Sequence, residues 1–133
     1  MINYSTKSVD TLTIEQILVI KKYLDMDQFS VSDFRQIFSS SDFHPLTDNM
    51  CLVSFARINH DFKLKIGDDY YCFAEFVGFI SIIKGKSYGT KLLGEIIKNL
   101  IRNHTECIGF CEKPLRGFYE KNNIKSYMTK QIL

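Results

Sequence analysis

The sequence predicts a single mixed α+β domain in which helices flank a mostly antiparallel central sheet. Three observations lead there. Segments on both sides of the middle place apolar residues at three- and four-residue steps, the period of a helix with one buried face. The middle itself, MCLVSFARI, DFKLKI and YYCFAEFVGFISII, is rich in β-branched and aromatic residues and is broken by turn signals. The strongest helical pattern then runs into the apolar stretch ECIGFC, which a crossover helix returns to the sheet as a parallel strand. A chain of 133 residues, 45% of them hydrophobic, fits one core, so residues 1–133 are expected to form one domain.

In chain order, a short strand is expected near Ile2 to Ser5. Thr13 suits the cap of TIEQILVIKKYL, where Ile14, Ile17, Leu18 and Leu24 share an apolar face. A second helix is expected to begin at Ser32, with Phe34, Ile37 and Phe38 at helical spacing, and to end in the polar run SSSD. The three β-rich segments then form an antiparallel meander with turns at Asn59-His60 and at Gly67-Asp68-Asp69. From Phe73 onward the third segment is apolar on both faces, as in a central strand; Gly78 within it marks a bulge, a close ligand contact or tight packing. Leu92, Leu93, Ile96, Ile97, Leu100 and Ile101 define the long helix after the next loop. PLRGFYEK is expected to be a short helix and IKSYMTKQIL a last strand.

A net charge of +2, from 17 basic and 15 acidic residues, and the lack of a long basic stripe give no reason to expect a nucleic-acid or acidic-membrane partner. The start MINYSTKSVD lacks the basic-then-apolar pattern of a secretion signal, and no uncharged apolar run reaches about 18 residues, so a cytoplasmic protein is expected. Cys51, Cys72, Cys107 and Cys111 show no C-x-x-C pair, and His44, His60 and His104 lie far apart in sequence. Reduced structural thiols and no metal are the expectation.

The stretch KGKSYGTKLL, residues 84–93, joins the apolar run FVGFISII to the apolar helix. Glycines let a ligand approach the main chain, and the helix that follows offers unpaired N–H groups and the positive end of its dipole, which suits phosphate. Gly85-Lys86-Ser87 matches the end of a nucleotide P-loop, but Ile80 stands where that motif needs its first glycine, and G-x-G-x-x-G does not occur. The loop therefore fits a phosphate-containing cofactor other than those two motifs serve.

The order helix, helix, antiparallel strands, phosphate loop, helix, strand, short helix, strand resembles the GNAT (GCN5-related N-acetyltransferase) family. That family's pyrophosphate loop, Q/R-x-x-G-x-G/A, aligns with Lys84, Gly85, Lys86, Ser87, Tyr88 and Gly89; Lys84 stands for Gln/Arg and Ser87 for the first Gly. The following T-K-L-L and the long helix agree. A second signature, F-Y-E-K, is intact as Phe118-Tyr119-Glu120-Lys121, with Asn123 in place of the usual glycine. The likeness covers residues 50–133 by motif and the first 49 by helix count.

The resemblance implies direct acetyl transfer from acetyl-coenzyme A (acetyl-CoA) to an amine of a small molecule or peptide, with a sheet whose parallel pair splays around the cofactor. It assigns main-chain groups of Val77 and Phe79 to the pantetheine arm, with the Val77 N–H as an oxyanion donor, and the amides of Gly85 to Thr90, aided by Lys84 or Lys86, to the pyrophosphate. Tyr119 occupies the position of the family's hydroxyl donor to the cofactor sulfur. The family's strand glutamate is replaced by Phe73, which leaves Glu75 as the first candidate base, with Glu112 and His60 behind it. The alternative is a CoA-binding or regulatory module without turnover. Oligomeric state is not encoded legibly, and a homodimer is compatible.

Overall fold

Thr13 ends an extended segment and caps α1 (Ile14–Tyr23) with a reciprocal pair: its hydroxyl accepts from Gln16 N–H, and Gln16 Oε1 accepts from Thr13 N–H. Such a box contributes about 1 kcal/mol to starting a helix at a defined residue. The buried face differs from the expected one. Ile17 and Ile20 are fully buried, whereas Ile14 and Leu18 are 58% and 51% exposed. Helix α2 (Val31–Ile37) starts one residue earlier than expected because Ser30, not Ser32, supplies the cap to Asp33 N–H at 3.0 Å. The computed structural model describes residues 1–110, 116–122 and 124.

Helix α2 ends at the polar run as expected, but from Ser41 the chain forms a strand that was not expected from the sequence. Together β1 (Ile2–Tyr4), β2 (Lys7–Ser8), β3 (Ser41–Asp48), β4 (Cys51–Ile66), β5 (Asp69–Ser81) and β6 (Cys107–Gly109) form one sheet in the order β1-β3-β4-β5-β6, with β2 also on β3. Pro45 made β3 illegible, since proline argues against an interior strand. Here the Pro45 carbonyl accepts from Ser5 N–H, where the edge is interrupted between Tyr4 and Lys7, so the missing proline N–H costs no ladder bond.

The second correction concerns β4, which the Asn59-His60 signal was expected to divide. The strand runs through, and the ladder to β5 shifts by one residue between Asn59 and Phe62. Asn59 Oδ1 accepts from Asp61 N–H within that irregularity, so the turn-forming residue makes a bulge instead. The Gly67-Asp68 hairpin is as expected, with Gly67 at φ +64°. The antiparallel meander is therefore β3-β4-β5, not the three segments read from the sequence.

Adjacent residues Phe55 and Ala56 enter different apolar clusters, so the sheet carries a core on each face. One core joins Val9, Leu12, Ile17, Ile20, Phe34, Phe43 and Phe55 under α1 and α2. The other joins Leu46, Ala56, Ile58 and Ala74 to Tyr88, Leu92 and Ile96 of α3 (Tyr88–Arg102). That helix keeps the expected stripe except at its end, where Ile101 is 70% exposed. It returns the chain to β6, which pairs in parallel with β5 at Ala74↔Cys107, Glu75↔Ile108 and Phe76↔Gly109. The expected short helix is α4 (Arg116–Lys121). The expected strand IKSYMTKQIL lies outside the described residues apart from Ile124. No helix among the described residues is long and apolar enough to cross a membrane.

Candidate active site

Strand β6 stops at Gly109, while β5 continues to Ser81. Beyond Phe76, the β6-side edge of β5 has no strand neighbour among the described residues. Successive residues of a strand send their main-chain groups to opposite edges. Ala74 N–H donates to Glu106 O, so alternation turns Phe76 toward β6 and Glu75 and Val77 toward β4. Counting back from Ile82, whose N–H donates to Val53 O on β4, Ile80 also faces β4 while Phe79 and Ser81 face the open edge. The two counts are reconciled by a bulge at Gly78: Val77 pairs with Arg57 and Ile80 with Phe55, one residue more on β5 than on β4. Gly78 has φ +66°, an angle that glycine adopts without strain. Of the two strand residues matched to the pantetheine, Phe79 thus presents its main chain to the open edge and Val77 is turned away from it.

The loop after β5 enters α3 through two left-handed residues, Gly85 at φ +79° and Ser87 at φ +60°. Ser87 is the N-cap residue, yet its side chain makes no capping bond. The first-turn amides therefore have no hydroxyl partner from Ser87 and can serve an anion. Tyr88 locks the helix start in place. Its ring is buried, and its hydroxyl donates to Asp48 Oδ2 at 2.6 Å across to the end of β3. This bond raises the Tyr88 pKa and, as the largest cause, lowers that of Asp48, to which the charge of Lys86 also contributes. Gly89 has an ordinary helical φ; a Cβ there would stand 3.4 Å from Phe79 Cζ and 3.9 Å from Ser81 Cβ. Its smallness lets the helix start lie close over the floor of the open edge.

Helix α4 brings Tyr119 to the same place. Its ring meets Phe76 edge-on at 6.3 Å between centroids and lies 6.4 Å from Phe79, while Phe118 lies 6.1 Å from Phe79. Between the loop, the edge of β5 and α4 is a cleft of about 410 Å³. Phe79, Lys84, Gly85, Ser87, Tyr88, Gly89, Thr90 and Tyr119, all singled out from the sequence, line it; Glu75, Val77 and Lys86 do not. Ile80, Ser81, Ile83 and Phe118 line it too and were missed, although FISII directly before the loop is more apolar than a solvated linker requires.

Glu75 lies on the sheet face toward α1 and α2, where its Oε1 accepts from Asn59 Nδ2 at 3.2 Å. Beside it, Arg57 packs its guanidinium 4.4 Å over the Phe38 ring and donates from Nη1 to Ser41 Oγ at 2.9 Å. Burial pulls the Arg57 pKa down and the Glu75 charge pushes it back up. The imidazole of His60 is 2.9 Å from Asp42 Oδ2, and Glu112 lies outside the described residues. A larger hollow of about 480 Å³ between α3 and β6 contains none of the loop residues. Its one thiol, Cys107, is pushed up to about 11 by burial and supplies no ready nucleophile. Among the described residues no group of three His, Cys, Asp or Glu could hold a metal, and Cys51, Cys72 and Cys107 are free thiols.

No protein-family model matches the chain, and no curated protein matches it by sequence. Solved structures do. A predicted acetyltransferase with acetyl-CoA from Clostridium acetobutylicum aligns over 100% of this chain and 94% of its own, at 15% identity and a TM-score of 0.65. Glucosamine-6-phosphate N-acetyltransferase from Arabidopsis thaliana aligns over 100% and 97% respectively, at 9% identity and a TM-score of 0.68. An aminoglycoside acetyltransferase from an uncultured soil metagenomic sample, in complex with sisomicin, aligns over 99% and 95%, at 10% identity and a TM-score of 0.66. The chain has the fold of these acetyltransferases, the α+β arrangement that its resemblance to the GNAT family implies.

Proposed function

We propose that the chain transfers an acetyl group from acetyl-CoA directly to an amine. The observation that carries this reading is the cleft itself: a phosphate-suited helix start at one end, a strand edge with no strand neighbour among the described residues along its floor and a tyrosine at the other end. The pyrophosphate would rest on the amides of Gly85 to Thr90, with Lys84 adding charge and Lys86 sharing its own with Asp48. The pantetheine, an extended amide chain, would pair as a strand with the main chain of Phe79. Gly89 and Phe79 set the depth at which it lies.

In the reaction the amine lone pair attacks the acetyl carbon, and collapse of the tetrahedral intermediate breaks the C–S bond. The sulfur leaves as a thiolate that accepts a hydrogen bond from the Tyr119 hydroxyl and is then protonated from solvent, while the amine sheds its extra proton to water or, through water, to Glu75. A thiol near pKa 8.5 leaves as an anion that a phenol near 10 can stabilise by a hydrogen bond strengthening as charge develops. No metal or bound cofactor is called for in this chemistry.

The test is release of free thiol from acetyl-CoA in the presence of polyamines, amino acids, aminoglycosides and peptide amines. Acetylation of at least one class is expected. Coenzyme A binding without thiol release from any of them would reduce the chain to a CoA-binding module.

A further inference from the structure

The acetyltransferase reading also leads to the chemical class of the acceptor, and the inference rests on that reading. The cofactor cleft occupies the α3 and α4 side of the β5 edge, which leaves the α1 and α2 side as the face for an acceptor on this reading. At the Gly78 bulge that side is formed by Leu24 and Arg57, each 3.8 Å from where a glycine Cβ would stand. Arg57 pairs across the ladder with Val77, and Asn59 with Glu75, so Arg57, Asn59 and Glu75 share one face beside the bulge.

This face carries a cation and an anion held apart. Phe38 and Ser41 brace the Arg57 guanidinium in one orientation. Its Nε is buried with no hydrogen-bond partner among the described residues, and no carboxylate there lies within ion-pair distance. Glu75, whose charge raises the Arg57 pKa, is instead held by Asn59. Leaving a half-buried guanidinium without a counter-ion is costly, and a planar donor fork fixed by stacking suits an incoming carboxylate or phosphate.

We propose that the acceptor is an amine carrying its own anionic group, with Arg57 binding the anion and Glu75 facing the amine. The anion lowers the cost of the unpaired guanidinium, and the Glu75 carboxylate attracts the cationic form of the amine. A polyamine has no group to place on Arg57 and is repelled by it.

Matched pairs test this: glycine against glycinamide, and glucosamine 6-phosphate against glucosamine, with spermidine as the polycation, each read as kcat/KM for thiol release. The expected result is that the anionic member of at least one pair exceeds its neutral partner by about tenfold or more. Whether that pair is the carboxylate or the phosphate one identifies the anion. In Arg57→Met, which removes the guanidinium and keeps an unbranched side chain, the ratio should fall to near one through KM rather than kcat, and Arg57→Lys should restore part of it. Stabilisation of each variant by coenzyme A reports that the fold and cofactor site persist. Preference for neutral amines or spermidine, or a ratio unmoved by Arg57→Met, overturns the acceptor assignment alone. Thiol release with none of these amines, nor with aminoglycosides and peptide amines, despite coenzyme A binding, overturns the acetyltransferase reading and this assignment with it.

Discussion

Replacing Ser87 by glycine should make the protein more stable, although the change removes a side chain. Ser87 sits at φ +60° and ψ 23°, in the left-handed region, and is exposed. An L-residue there costs about 1 to 2 kcal/mol relative to its right-handed conformations. Glycine removes that cost but gives up about 0.5 to 1 kcal/mol through the greater freedom of the unfolded chain. Nothing else is lost, because the serine hydroxyl makes no capping bond. The net expectation is a gain of roughly 0.5 to 1 kcal/mol, or about 2 to 4 °C in Tm for a domain of this size. Urea and thermal unfolding of Ser87→Gly, Ser87→Ala and Ser87→Val would give the order Gly above Ala above Val, since branching at Cβ worsens the left-handed strain. A glycine variant less stable than the alanine variant would show that Ser87 carries no such strain and that the loop geometry is different.

Gly89→Val should weaken coenzyme A binding in calorimetry and cost about 1 to 3 kcal/mol of stability, because its branches extend beyond a Cβ already 3.4 Å from Phe79; unchanged affinity would move the phosphate site elsewhere. Tyr119→Phe should lower turnover at least about tenfold, a barrier change of roughly 1.4 kcal/mol, with coenzyme A affinity nearly kept. Equal rates, with chemistry shown to be rate-limiting, would make Tyr119 structural. Burial lowers the His44 pKa to about 4, so the folded state holds the ring neutral while the unfolded chain takes up a proton near 6.5. Stability from this group is complete above about 6.5 and should fall as pH drops toward 4, by up to about 3 kcal/mol. His44→Gln should flatten that part of the pH profile of Tm, and an equally steep profile would count against the buried neutral ring.

The parts legible in the sequence are those where local pattern and tertiary role agree. The α3 stripe, the crossover to β6, the Thr13 cap and, apart from Lys86, the cleft-lining residues from Lys84 to Thr90 are of this kind, since a helix start that suits phosphate is written in nearly consecutive residues. What failed depends on neighbours distant in sequence. Pro45 is tolerated in β3 only because the facing edge is broken at Ser5 and Thr6, and Asn59 bulges rather than turns because β5 continues opposite it. Val77 was matched to the open edge by motif spacing alone, and the one-residue bulge at Gly78 resets which main-chain groups face it. The Arg57, Asn59 and Glu75 face, assembled from two strands and braced by α2, leaves no spacing signal at all.

The central claim is that the cleft beside Gly89 is built for the pyrophosphate and pantetheine of coenzyme A together. Thermal unfolding with increasing coenzyme A, and in parallel with ATP, tests it most directly, because ATP offers phosphates without an arm to pair along the β5 edge. A ligand at 100 times its Kd stabilises by about 2.7 kcal/mol, so a clear rise in Tm is expected with coenzyme A and a much smaller one with ATP at equal concentration. Equal shifts from the two, or no shift from coenzyme A, would contradict the account.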